Sequence, residues 1–357
     1  MNMTRVRRFI WRSLLALCGF YLVILILLVN FENRLVYPGA YMTPSAPQQS
    51  SLESTAPTEM NSGASSVGGS DNRVVLNQQN WGSIVDARYR TCDGLLLTGR
   101  LLEHDPSTHA ETVLVFHGNG DKAVNLDNLL RTLSQLLNAN VMAAEYRGYQ
   151  DSHTPSEWGI KQDCLAARDF LCKRYEINAD QVTLFGTSLG GGCATFVAAN
   201  GGAKVVILDR TFDRLVDVAA ERYPVFPVRK IMRNRFDSIK NLQTYQGPLI
   251  MIHGDADEIV SIERGKTLFD SAACSPKHWI EIPGFGHLMR LQEHTLREMR
   301  QTFLDFTAES NTNGSEMEIE PAKGTAGISK ESAIISEPVA KPGNETATPS
   351  ESVRPNP

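Results

Sequence analysis

The stretch Val182–Phe196, VTLFGTSLGGGCATF, restricts the fold more than any other part of the chain. An apolar run leads straight into Gly186-Thr187-Ser188-Leu189-Gly190, and Leu189, Cys193, Phe196 and Val197 then share one helical face. A strand turns this abruptly into a helix only if the positions two before and two after the central residue lack side chains, because a Cβ there would collide with backbone. Gly186 and Gly190 meet that demand. Ser188 is left projecting at the carboxyl edge of a sheet, above the positive end of the helix that follows. Read alone, the serine is a helix cap in a glycine-rich turn; read with its flanking strand and helix, it is a nucleophile.

The surrounding sequence supplies the rest of such a sheet. Short apolar runs recur at TVLVFH, VMAAEY, VTLFG, KVVILD, PLIMIH and HWIEIP. Runs of this kind suit strands covered on both faces. Between them lie helical patterns: Ile160, Cys164, Ala167 and Leu171 repeat with helical spacing, as do Leu296, Met299, Phe303 and Phe306. Ahead of them, SIVDARYRT and LLLTGRLLE flank Cys92-Asp93-Gly94, which reads as a hairpin. A hairpin followed by repeated strand–helix units predicts an α/β domain with helices on both faces, spanning residues 74–308.

At the N-terminus, residues 1–12 carry Arg5, Arg7, Arg8 and Arg12, and residues 13–30 form an uncharged apolar run. That run, extended by its apolar neighbours, is long enough to cross a bilayer. It exceeds the apolar region of a secretory signal and has no small-residue cleavage site, so it reads as an uncleaved signal-anchor. The basic flank places the N-terminus in the cytoplasm and the domain outside it, in a periplasmic, lumenal or extracellular space. Residues 31–73 are rich in Ser, Pro and Gly and read as a flexible linker. Residues 309–357, with eight acidic and four basic side chains, read as a disordered acidic tail. It holds two glycosylation sequons, at Asn313 and Asn344. The net charge of −5 and the absence of a basic patch in the domain argue against nucleic acid as a partner. The six cysteines have no C-x-x-C spacing and read as small buried apolar residues rather than metal ligands.

A serine hydroxyl needs a base, and the base needs an orienting acid. His287 lies in the glycine-flanked loop GFGH just past the last apolar run, where neither His117 nor His253, each ending its own strand, is placed. Asp255, Asp257 and Glu258 all follow the strand PLIMIH. Asp257 sits in the frame Gly254-x-x-Asp257-x-x-Val260, whose valine packs inward and leaves the carboxylate facing back over the sheet; Asp255 is the second candidate. The oxyanion of an acyl-transfer intermediate calls for backbone N–H donors, and Leu189 and Asn119, the latter in the loop His117-Gly118-Asn119-Gly120, are in place to give them.

Taken together, HGNG, EYRGY, GTSLGGG, HGDADEIV and GFGH resemble the α/β-hydrolase superfamily, and within it the membrane-anchored, bud-emergence-type (Bem-like) serine hydrolases, over about Arg88 to Phe306. The resemblance implies a mostly parallel eight-stranded sheet and a triad of Ser188, Asp257 and His287. It also places a small cap at about 210–247, where Tyr223, Val225, Phe226 and Val228 are candidates for an acyl pocket or for packing. The family's YRGYG ends here in Gln150, and Arg147 in that motif is read as a packing residue or a pocket rim. The expected activity is hydrolysis of an ester or thioester, or of an amide, through an acyl-enzyme without metal or cofactor. Acylated small molecules, lipids or proteins are the expected substrates. The alternatives are a serine peptidase of the same fold and a catalytically silent binding module.

Overall fold

Nearly continuous apolar strands can be buried only between two layers of helices, and that is how this chain is built. The structure is a computed structural model that describes residues 3–42, 82–104 and 110–316. The expected linker from residue 43, the tail beyond Glu316 and the sequon at Asn344 lie outside the described residues.

Helix α1 (Met3–Asn30) is followed by two short helices, α2 (Glu32–Val36) and α3 (Pro38–Tyr41). The domain then runs β1 (Ile84–Arg90), β2 (Leu96–Leu102), β3 (Glu111–Phe116), α4 (Asp127–Leu137), β4 (Ala139–Ala143), α5 (Glu157–Tyr175), β5 (Thr183–Thr187) and α6 (Leu189–Ala199). After β6 (Val206–Asp209) come the cap helices α7 (Leu215–Arg222), α8 (Val228–Ile231) and α9 (Ser238–Leu242). The chain closes with β7 (Leu249–Gly254), α10 (Ile262–Ser271), β8 (Lys277–Ile282) and α11 (Glu293–Glu316), the last running past the boundary expected at Ala308. Contacts group the chain into two units, Met1–Asn313 and Gly314–Pro357; only Gly314–Glu316 of the second is described.

The eight strands form one sheet in the order β1-β2-β4-β3-β5-β6-β7-β8. Strand β2 is antiparallel to β1 and β4, and all other pairs are parallel. Alternate residues of each central strand enter opposite cores. Leu114, Leu184, Leu208 and Met251 pack with Ile160, Cys164 and Ala167 of α5 and Cys193 and Val197 of α6. Val115, Phe185, Ile207 and Ile250 pack instead with Leu130 and Leu133 of α4 and Met299 and Phe303 of α11. Parallel pairing brings the carboxyl ends of β3, β5, β6 and β7 to one edge, with Phe116 opposite Gly186, Thr187 opposite Asp209 and Asp209 opposite Ile252. Three of the cysteines are buried, Cys172 is half-buried, and Cys18 and Cys92 are exposed; all six are unpaired thiols.

One expectation from composition is corrected. Residues 31–42 are folded, not part of a flexible linker, because buried polar contacts to the cap hold them. Glu32 is buried and accepts from the backbone N–H groups of Arg233 and Asn234, both at 2.8 Å, and from their side chains at 3.0 and 2.8 Å. Tyr37 is fully buried and donates to Asn234 Oδ1 at 2.8 Å. Val36 packs against the cap cluster of Val216, Val228 and Met232.

Glu32→Ala would remove the acceptor of the buried Asn234 backbone N–H and one of the two acceptors of its Nδ2, the other being Asn33 Oδ1. It is expected to cost about 1–3 kcal/mol in denaturant unfolding of the full chain in detergent. An unchanged midpoint would mean that this docking contributes nothing.

Candidate active site

Strand β5 and helix α6 meet at Ser188, whose φ of 53° and ψ of −116° lie outside the regions a residue with a side chain prefers. Close packing enforces that geometry. A Cβ on Gly190 would lie 2.0 Å from the Phe116 carbonyl oxygen, and one on Gly186 would lie 2.4 Å from that of Gly190. The Ser188 backbone is held on both sides, its N–H donating to Asp209 O at 2.9 Å and its carbonyl accepting from Thr211 Oγ1 at 2.7 Å.

His287 arrives from the loop after β8, with Nε2 at 3.0 Å from Ser188 Oγ and Nδ1 at 2.7 Å from Asp257 Oδ2. The Asp257 side chain is fully buried, and its Oδ1 accepts from the Ile259 and Val260 N–H groups at 2.9 and 2.8 Å. Of the three acidic candidates, the structure brings Asp257 to the imidazole. Asp255 is exposed and accepts from Gly284 N at 2.6 Å, and Glu258 is exposed. Burial alone would raise the Asp257 carboxyl. The His287 hydrogen bond and the Val260 and Ile259 N–H groups outweigh it and hold the carboxyl below the usual range.

Ser188, His287, Leu189 and Asn119 line one cavity of about 810 Å³. Its apolar walls include Phe212, Leu215 and Val218 of the cap and, from the segment after α1, Val36 and Pro38. That segment also presses on the Asn119 loop: a Cβ on Gly39 would come within 2.2 Å of the Asn119 carbonyl oxygen. Tyr149 donates to the same residue, with its hydroxyl 3.0 Å from Asn119 Oδ1 and 3.2 Å from its carbonyl oxygen.

The cap residues singled out from sequence lie elsewhere. None of Tyr223, Val225, Phe226 and Val228 lines the cavity. Tyr223 and Val225 are exposed, Phe226 stacks on Tyr21 of α1, and Val228 is buried among Val216 and Met232. Apolar character in a cap does not tell which side of it a residue faces. Arg147 is a packing residue, bound through its guanidinium to buried Asp163 and to Asp93, and it is not in the cavity wall.

Two groups essential to the site's geometry were not singled out from sequence. Arg210, buried directly after β6, has a φ of 49° and grips Asp209 through Nε and Nη2 at 2.8 and 2.6 Å. Its Nη1 donates to the carbonyl oxygens of His287 at 2.6 Å and Met289 at 2.5 Å, so it ties down the histidine loop. Glu145, fully buried, contacts His117 Nε2 at 3.0 Å and accepts from Ala123 N at 3.1 Å and Tyr146 N at 2.9 Å, bracing the Asn119 loop from behind. Gln150 also donates to Glu145, which gives the departure from the family's glycine a partner. A charged pair immediately after an apolar strand, Asp209-Arg210, was the available signal for the first. His253 is fully buried outside the cavity wall, with Nε2 3.6 Å from Asp257 Oδ2. Its Nε2 lies 2.9 Å from Val260 O, it stacks on Trp279, and burial lowers its pKa.

The alpha/beta hydrolase fold family matches residues 111–226. An uncharacterised protein of Mycobacterium tuberculosis is 30% identical over 204 residues, which cover 57% of this chain and 72% of that protein. Protein bem46 of Schizosaccharomyces pombe is 26% identical over 305 residues, 82% of this chain and 91% of its own. Alpha/beta hydrolase domain-containing protein WAV2 of Arabidopsis thaliana is 26% identical over 280 residues, 73% of this chain and 83% of its own. Among solved structures, an acetyl xylan esterase from Paenibacillus sp. R4 aligns with a TM-score of 0.52 at 18% identity, covering 62% of this chain and 84% of that one. An esterase of Pyrococcus furiosus aligns at 0.53 and 16%, covering 70% and 99%. At such identities the two esterases speak for the fold alone.

Because the folded pKa of Asp257 is depressed, the stability it contributes is present above the ordinary carboxylate range and is lost as pH falls through the lowered value. Unfolding midpoints of the wild type and Asp257→Asn are expected to differ most near neutral pH, and the gap to shrink below about pH 4. A gap that is constant with pH would contradict this account of the carboxylate.

Proposed function

The chain belongs to the α/β-hydrolase family and is bem46-like, and on that premise we propose that it is a membrane-tethered serine hydrolase of esters or thioesters. One observation carries the proposal: the continuous contact from Asp257 through His287 to Ser188, at 2.7 and 3.0 Å, whose last two members line a cavity at the carboxyl edge of the sheet.

Ser188 Oγ attacks the acyl carbon and passes its proton to His287 Nε2. Asp257 fixes the imidazole tautomer by accepting from Nδ1 and stabilises the imidazolium. The backbone N–H groups of Leu189 and Asn119 receive the negative charge on the former carbonyl oxygen. The intermediate collapses, and the leaving alcohol or thiol takes the proton from His287. A water, activated by the same imidazole, then releases the acid from Ser188. Phe212, Leu215 and Val218 give the acyl group an apolar wall, which favours fatty over charged acids.

Helix α1 is the membrane anchor in this reading; Val6–Asn30 is apolar and long enough to cross a bilayer. Its arginine-rich start sets the N-terminus in the cytoplasm and the catalytic domain, with its small cap at 210–247, outside it.

Ser188→Ala and His287→Ala are each expected to lower turnover of an activated ester on the order of 10⁶-fold. Asn119→Ala changes it far less, because the donor is the backbone. Full turnover by Ser188→Ala would refute the mechanism. For the topology, protease outside intact cells should digest the domain, and complete protection would refute export.

A further inference from the structure

The cap and the anchor touch at a point that neither the hydrolase mechanism nor the tether requires. Tyr21 of α1 donates its hydroxyl to the Val225 carbonyl oxygen at 3.0 Å, and its ring stacks on Phe226 with centroids 5.8 Å apart. Arg233 of the cap reaches the carbonyl oxygen of Val29 at 3.0 Å, near the other end of the same contact. Along an α-helix the distance from Tyr21 to Asn30 is roughly 13 Å, and from Arg12 to Asn30 roughly 27 Å. The second figure nearly matches a hydrocarbon core of about 30 Å, so Tyr21 lies close to halfway across it. Whatever is bonded to Tyr21 shares its depth.

We propose that the cap tip Tyr223–Pro227 is inserted in the hydrocarbon of the leaflet that α1 enters from Asn30, and that the cavity at Ser188 takes long-chain acyl amphiphiles from that leaflet. This inference rests on the reading of α1 as a spanning anchor and on that of Ser188 as the nucleophile. The tip is built for such a place. Its sequence, Tyr-Pro-Val-Phe-Pro, includes two prolines that bring no N–H to satisfy. Phe226 N donates to Tyr223 O at 3.1 Å and Val228 N to Phe226 O at 2.8 Å, while Tyr21 serves the Val225 carbonyl. Backbone groups so paired lower the main cost of placing an irregular loop in lipid. Val225 is 72% exposed and Tyr223 43%, continuous with the exposed apolar side of α1, and a tip like this facing water would forfeit that apolar surface. Arg222 and Lys230 flank the tip, exposed, with long side chains that can extend back toward the leaflet surface, and Arg229 beside them is paired with Asp217 at 2.6 Å. From the tip, α7 leads to Leu215 and Val218 in the cavity wall, and α2 and α3 bring Val36 and Pro38 to the same wall. The elements that join the anchor to the domain thus reach the wall of the cavity that holds the serine.

The test places an environment-sensitive fluorophore at Val225→Cys, and separately at Leu17→Cys, in the full chain carrying Cys18→Ser and Cys92→Ser, reconstituted in phosphatidylcholine vesicles with a tenth phosphatidylglycerol. Both labels should be quenched by nitroxide-bearing lipid and shielded from iodide. If Leu17 is shielded while Val225 is open to iodide, the anchor stands and the tip inference falls, whether water or a protein partner covers the tip in its place. If Leu17 is open as well, the spanning reading fails and the inference fails with it. A second arm compares Val225→Asp with wild type. A charge at this depth should slow hydrolysis of a long-chain ester held in vesicles about tenfold or more, with a soluble short-chain ester unchanged. Equal rates on the vesicle ester would overturn uptake from the leaflet, and loss of both activities would mean that the variant disturbs the catalytic site instead.

Discussion

Everything at the carboxyl edge of this sheet depends on two places where backbone meets backbone with nothing between. Gly190 lies so close to the Phe116 carbonyl, and Gly186 to that of Gly190, that no side chain fits at either position. That contact forces the chain from β5 into α6 within one residue and holds Ser188 at a positive φ. It also fixes α6 against β3, so the loop that carries Asn119 and the N-terminus of α6 border the same space. Relaxing the turn would remove the serine from reach of His287 and widen the gap between the two loops at once. The strain is local, and the two buried cores on either side of the sheet sustain it.

Charge at the site is handled by giving each buried ionic group several partners. Asp257 accepts from two backbone N–H groups besides the imidazole, and Glu145 engages backbone, histidine and glutamine together. Arg210 links the end of β6 to the histidine loop through one planar guanidinium that also lies over the Phe285 ring. Groups satisfied in this way keep their orientation, which a loop histidine could not do on its own.

Much of the sheet was legible because fully buried strands leave unbroken apolar runs, and those recur in chain order with helical patterns between them. The turn at Ser188 was legible because glycine spacing reports a steric demand directly. His287 stood out by place, and Asp257 by its frame with Val260, although Asp255 was an equal match by type. What stayed hidden was set by contacts remote in sequence. Arg210 acts on carbonyls 77 and 79 residues away, and Glu32 on Asn234, 202 residues away. The polar composition after α1 suggested a chain without structure, yet Glu32 and Tyr37 bond to the cap and Val36 packs on it. Cap hydrophobicity could not separate a pocket role from a packing role for a related reason. Val218 and Val225 are the same residue type on different sides of the cap, and only Val218 reaches the cavity.

The central claim is that the hydroxyl of Ser188 is an activated nucleophile. Peptide mapping by mass spectrometry after brief exposure of the full chain to a fluorophosphonate tests it most directly. The account predicts one phosphonyl group per chain, on the peptide containing Ser188, formed more slowly in His287→Ala. A protein left unmodified under conditions that label a known serine esterase, or modified at another residue with Ser188 intact, would contradict it.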